Sequence, residues 1–115
     1  MQWHTLNRAE QIGDLLAASY ETPVLIFKHS VRCGVSSFVK NRFEDDWRFS
    51  DEEIVPYYLD LIQYRDVSNL LARQLGVVHE SPQILVLRDG ECVFNASHLS
   101  ARVDALDPFA NSSVG

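Results

Sequence analysis

The run Val24-Leu25-Ile26-Phe27 is apolar without a break. An alternating strand has one wet face, whereas a continuous one is covered on both faces and needs a helix layer on each side. That requirement points to an α/β domain. The run starts after Pro23 and passes through Lys28-His29-Ser30-Val31-Arg32-Cys33-Gly34 into a helix-like stretch from Val35 to Asp46. The chain has 115 residues, 46% of them hydrophobic and 23% charged, which suits one domain with a single core of ordinary size.

Other elements fall on either side of this strand. Asn7 and Glu10 have capping-box spacing, and Ala9, Ile12, Leu15 and Leu16 follow helical spacing, so residues 8–20 read as an amphipathic helix. Val35, Phe38, Val39, Phe43 and Trp47 keep one face of the second helix apolar. Residues 54–62 read as a strand with Pro56 near its start, where a missing N–H is tolerated. Asp66 can cap a third helix with Val67, Leu70, Leu71 and Leu75 inward and Gly76 as its left-handed stop. Gln83 to Leu87 is another apolar strand, and Asp89-Gly90 turns it into a hairpin with Cys92 to Asn95. Leu99 to Leu106 reads as a last short helix stopped at Asp107-Pro108, with 108–115 as a flexible tail. The expectation is a mixed sheet of about four strands with helices on both faces, in one domain spanning 1–115.

Charge and cysteine usage narrow the function. A net charge of −6 disfavours nucleic acid as a partner, since phosphate binding needs a basic surface. No apolar run approaches the roughly 18 residues of a membrane span, so no membrane role is expected. Met1-Gln2-Trp3-His4 offers neither a basic n-region nor an apolar h-region, which sets the cytoplasm as the expected location. Cys33 and Cys92 lie far apart in unlike contexts, and neither forms metal-ligand spacing.

Cys33 is the candidate reactive group. It falls where a helix begins, and unpaired N–H groups with the helix dipole favour a thiolate there. No Asp or Glu occurs between Thr22 and Phe43, while Lys28, Arg32, Lys40 and Arg42 do. Such surroundings can bring a thiol pKa from about 8.5 to about 3.5–7.5. Cys92 lies in a short strand between Glu91 and Val93 and reads as core packing. Ser36 lies one turn into the helix on the side of Cys33, either as a donor to the thiolate or as an ordinary first-turn residue. Arg32 can hold the thiolate or a substrate carboxylate, or remain a solvated charge. Lys28 at a strand end defaults to a solvated charge. His29, and less so His98, titrate near neutrality and are candidates for proton transfer.

The element order, the cysteine opening a helix after the first buried strand and Ser81-Pro82 ahead of the hairpin resemble a thioredoxin fold. In that family the proline faces the active cysteine and is usually cis. The Cys-x-x-Cys pair is here Cys33-Gly34-Val35-Ser36, so no disulfide can close within the motif. The chain further resembles the YtxJ-type monothiol bacilliredoxin-like proteins of the bacillithiol system. The shared features are Phe27-Lys28-His29-Ser30, Cys-x-x-Ser, Ser81-Pro82-Gln83, Asp89-Gly90 and Ser97-His98. That family usually has Thr before the cysteine and Pro after it, where this chain has Arg32 and Gly34. Monothiol glutaredoxins share Cys-Gly-x-Ser, but their Thr-Val-Pro and Gly-Gly are replaced here by Glu80-Ser81-Pro82 and Ala96-Ser97-His98.

The resemblance implies a thiol–disulfide oxidoreductase. Cys33, with Ser36, would be catalytic; Arg32, Gly34, Ser81 and Pro82 would bind substrate; Lys28 and His29 are lesser candidates. Its partners would be S-thiolated proteins, a low-molecular-weight thiol and a regenerating reductase. Bacillithiol would act as co-substrate, with glutathione as the alternative and no bound cofactor or metal. An iron–sulfur carrier of glutaredoxin type and a non-catalytic thioredoxin-like binding module are the competing readings.

Overall fold

The computed structural model describes residues 1–112. Strands and helices alternate as β1 (His4–Thr5), α1 (Glu10–Ala18), β2 (Val24–His29), α2 (Gly34–Asp46), β3 (Val55–Asp60) and α3 (Arg65–Leu75). The hairpin β4 (Gln83–Arg88) and β5 (Glu91–Ser97) follows, then 3₁₀ segments at His98–Ser100 and Val103–Phe109. One five-stranded sheet has the order β1-β3-β2-β4-β5. β1 and β2 run parallel to β3, whereas β4 is antiparallel to both β2 and β5. The fold is the expected thioredoxin-like α/β arrangement, with five strands rather than four. β1 escapes notice in the sequence because it has only two residues, both exposed, and no apolar pattern.

All six residues of β2 are buried, as its unbroken apolar run requires. Two cores flank it. Ile12 and Leu15 of α1 join Val67 and Leu71 of α3 over Val24, Ile26, Leu85 and Leu87. Across the sheet, Val39 and Phe43 of α2 join Val103 and Leu106 over Leu25, Phe27, Ile84 and Val86. Burying one such side chain contributes about 1.5–3 kcal/mol, so the two layers together hold β2 at the centre.

Local signals fared unevenly. The Asn7–Glu10 capping box does not form: Ala9 is the N-cap and makes no side-chain bond. Gln11 takes the role, its Oε1 accepting the N–H groups of Asn7 and Arg8 at 2.9 Å each. Asp66 lies inside the first turn of α3 rather than at its cap. Asp60 organises the turn between β3 and α3, its Oδ1 accepting from Ile62 at 3.0 Å and Gln63 at 3.2 Å. Gly76 does end α3 in the left-handed region at φ +67°.

The hairpin forms as read. Asp89 and Gly90 have φ of +55° and +81°, the pair of positive values that a two-residue primed turn demands. A Cβ at Gly90 would also collide with the Tyr20 ring. The register shifts between Val86 and Leu87, so Val93 is the extra residue of a bulge. That shift turns Cys92 towards the α1–α3 core and Phe94 towards the other.

The last helix is a correction. Residues 99–106 form two 3₁₀ pieces, and Asp107-Pro108 lies within the second instead of stopping it. Val103 and Leu106, three apart, are the buried pair, matching a three-residue turn. The expected tail is also anchored through Asn111. Phe109 stacks on Phe94 with ring centroids 5.1 Å apart, and its carbonyl accepts from Arg88 at 2.6 Å. Asn111 donates its backbone N–H to Glu53 at 3.0 Å and its side chain to Glu21 at 2.9 Å. Residues 113–115 lie outside the described part of the chain.

Candidate active site

Cys33 is the N-cap of α2, with extended backbone at φ −107° and ψ 118°. The loop before it is a tight turn, Cys33 N–H donating to Ser30 C=O at 3.1 Å. The first bond into the helix runs from Ser37 N–H to Cys33 C=O at 3.1 Å. The N–H groups of Gly34, Val35 and Ser36 therefore precede the helix ladder and cluster at the cysteine end. The thiol is partly exposed, is not in a disulfide and makes no capping bond. Gly34 is exposed, and a Cβ there would meet nothing within 4 Å.

Ser36 is fully buried and already engaged. Its Oγ accepts the Ser30 N–H at 3.1 Å and lies 2.6 Å from Nδ1 of His29. Burial, and then the nearby Lys40, hold the His29 imidazole below its ordinary 6.5. A neutral ring with its proton on Nε2 accepts a hydrogen bond from the Ser36 hydroxyl at Nδ1. The three residues thus form a clasp: β2 through His29, the turn through Ser30 and the first turn of α2 through Ser36. The serine at the usual place of a second thiol is bonded within this clasp, which ties the Cys33 loop to β2.

The four cations singled out from the sequence part company. Arg32 is exposed at the loop, with no ion pair among the described residues. Lys40 bonds Glu44 at 2.8 Å and lies over the Tyr58 ring. Arg42 donates to Leu99 C=O at 2.8 Å and packs on Phe38. Lys28 is not a solvated charge: it is 1% exposed, on the opposite face of β2 from His29, with Nζ 3.3 Å from Nδ1 of His79. Burial pushes its pKa from 10.5 to about 8.

Ser81-Pro82 is a cis peptide, as the resemblance implied. Lys28 pairs with Gln83 across the β2–β4 ladder. The ladder ends at this pair, so Ser81-Pro82 enters β4 at the end of the sheet where β2 leads through His29 and Ser30 into the Cys33 loop. The Ser81 hydroxyl is buried and has no hydrogen-bond partner among the described residues. His98 secures the far side: its N–H donates to Pro82 C=O at 2.9 Å, and its ring lies 3.3 Å from Glu80. Glu80 is thus an acid on a rim that looked acid-free in sequence. Cys92 is on the other side of the sheet, where burial pushes its thiol pKa up and its Sγ donates to Phe94 C=O at 3.4 Å.

His79 was missed by sequence reading. The usable signal was Lys28 itself, a charge that continues a run buried on both faces and therefore needs a buried partner.

Comparison with known proteins places the fold and the family. A solved thioredoxin-fold protein with a provisional oxidoreductase assignment shares 29% identity, covering 90% of this chain and 89% of its own, with a TM-score of 0.73. Spinach chloroplast thioredoxin f is 19% identical over 91% of this chain and 87% of its own, with a TM-score of 0.67. Malassezia sympodialis thioredoxin is 15% identical over 87% and 82%, also at 0.67. These two share the fold. The profile of the family described as Monothiol bacilliredoxin BrxC matches residues 4–106, nearly the whole chain. The chain therefore belongs to the monothiol bacilliredoxin family.

Proposed function

We propose that the protein removes a low-molecular-weight thiol, bacillithiol by family, from S-thiolated client proteins. The observation that carries this is Cys33 at the open N-terminus of α2, with a serine bound to His29 where a resolving thiol would stand. The Cys33 thiolate attacks the small thiol's sulfur in the client's mixed disulfide. That S–S bond breaks, a new one forms between Cys33 Sγ and the small thiol, and the client leaves as a thiolate that takes a proton from water. A second small thiolate then attacks the Cys33 adduct, freeing Cys33 and forming a symmetric disulfide. Returning that disulfide to thiols needs two electrons from a reductase.

Three features suit the parts of this cycle. The N–H groups of Gly34, Val35 and Ser36 stabilise negative charge on sulfur. Arg32, exposed beside the cysteine, can receive the carboxylates of an anionic small thiol. The Ser81 backbone, beside the cis peptide, can offer hydrogen bonds to the incoming disulfide. Glutathione is anionic as well, so charge alone does not choose between the two thiols.

The test offers one client protein in bacillithiolated and glutathionylated forms and follows recovery of its free thiol. Recovery at least about tenfold faster from the bacillithiolated form supports the reading, since each factor of ten in kcat/KM reflects 1.4 kcal/mol of selective binding in the transition state. Equal recovery from both forms, or none, sinks it.

A further inference from the structure

The loop 77–82 is held at its ends by Val77, packed on the α1–α3 core, and by buried Pro82, but residues 78–81 between them put no apolar side chain into the core. On its α3 side lies a shallow hollow of about 320 Å³ bordered by Val77, Val78 and His79, and Val78 is 81% exposed. Polar side chains secure it from beneath. Gln83 Nε2 donates to Val78 C=O at 3.0 Å, and Gln83 Oε1 accepts from Glu80 N–H at 3.4 Å. Lys28 Nζ lies 3.3 Å and Ser68 Oγ 3.4 Å from His79 Nδ1. Lys28, Ser68 and Gln83 are all essentially buried. A protonated lysine only donates, so Nδ1 of His79 accepts and the ring carries its proton on Nε2. Burying a charge is unfavourable unless it is well bonded, and an apolar side chain would fill this place without that cost. A cation kept at the base of the loop is therefore explained by what it holds.

We propose that Lys28 is a positioning residue which, through His79, fixes the loop 77–82 and so sets the Ser81 backbone where a mixed disulfide meets Cys33. The consequence for turnover rests on the function proposed above; the anchor itself does not.

Hydrogen exchange read by mass spectrometry separates the two, on the wild type and on Lys28→Met, His79→Leu and His79→Asn. In Lys28→Met and His79→Leu the Glu80 amide, the hydrogen-bonded one within 78–81, should exchange at least about tenfold faster, through local opening of the loop, while peptides from α2 stay as in the wild type. His79→Asn, whose Oδ1 stands near the lost Nδ1, should restore slow exchange. With S-thiolated client, Lys28→Met should raise KM about five- to tenfold while alkylation of Cys33 by iodoacetamide keeps its rate. Unchanged exchange at Glu80 in Lys28→Met overturns the proposal. So does faster exchange throughout the chain, which would mark a general loss of stability. If Lys28→Met does not fold, His79→Leu decides, because His79 is only half-buried. A selective rise at Glu80 in a chain that never turns over S-thiolated protein would uphold the anchor and sink the proposed function.

Discussion

Cys33 and Cys92 are the same chemical group in two settings on opposite sides of one sheet. Cys33 opens a thirteen-residue helix, has helix N–H groups beside it and is partly exposed next to Arg32. Cys92 sits beyond a bulge in β5, turned into the α1–α3 core, where burial disfavours its thiolate and Phe94 C=O accepts its proton. The difference lies in burial: a helix start presents N–H donors to a partly exposed sulfur, whereas at Cys92 desolvation in the core outweighs the backbone bonds at Phe94 and Val86 and keeps the thiol protonated.

The largest expected effect is on exchange itself. Cys33→Ser should reduce thiol release from S-thiolated client to the buffer rate, with the fold intact by circular dichroism. Next is Ser36→Ala, which breaks the clasp and leaves the Ser30 N–H and His29 Nδ1 unpaired. It should cost about 1–3 kcal/mol of stability in urea melts, as expected for buried groups left without partners. Exchange should slow as well, because the loop carrying Cys33 loosens.

A pH series sharpens the picture of the clasp. Burial is the main cause holding both His29 and His79 below 6.5. Below that pH the unfolded chain takes up protons at these sites that the folded chain resists, so stability should fall as pH drops through 6.5. Above it these two groups contribute no slope. His29→Asn, which keeps an acceptor for Ser36 without the titration, should flatten part of that fall between pH 7.5 and 5.5. The smallest effect belongs to the other cysteine. Cys92→Ala should cost about 1 kcal/mol for the half-buried sulfur removed and leave exchange rates within about twofold.

Much of this contrast was legible in the sequence, for a physical reason. An unbroken apolar run fixes a strand between two layers, and a tight-turn dipeptide fixes a hairpin; both signals depend on neighbours in sequence. The junction of Val24–Phe27 with the helix after Cys33 is local in that sense, and so was the candidate cysteine. The sheet edge at His4–Thr5, the clasp of Ser36 on His29 and the pairing of Lys28 with His79 depend on which face of β2 each residue leaves by, and on segments distant in the chain. The 3₁₀ ending was misread because Leu99 to Leu106 has helix-like spacing, while the buried pair Val103 and Leu106 follows a period of three. Asn7 illustrates a weaker signal. Its capping pattern was present, but Gln11 rather than Glu10 reached back to the Asn7 N–H.

The account turns on Cys33 receiving the small thiol from a client. Mixing the protein with a bacillithiolated client, quenching with acid and mapping peptides by mass spectrometry tests this directly. The bacillithiol mass should appear on the Cys33 peptide as client thiol is released, with none on the Cys92 peptide. An unmodified Cys33 alongside released client thiol, or an adduct on Cys92, would contradict it.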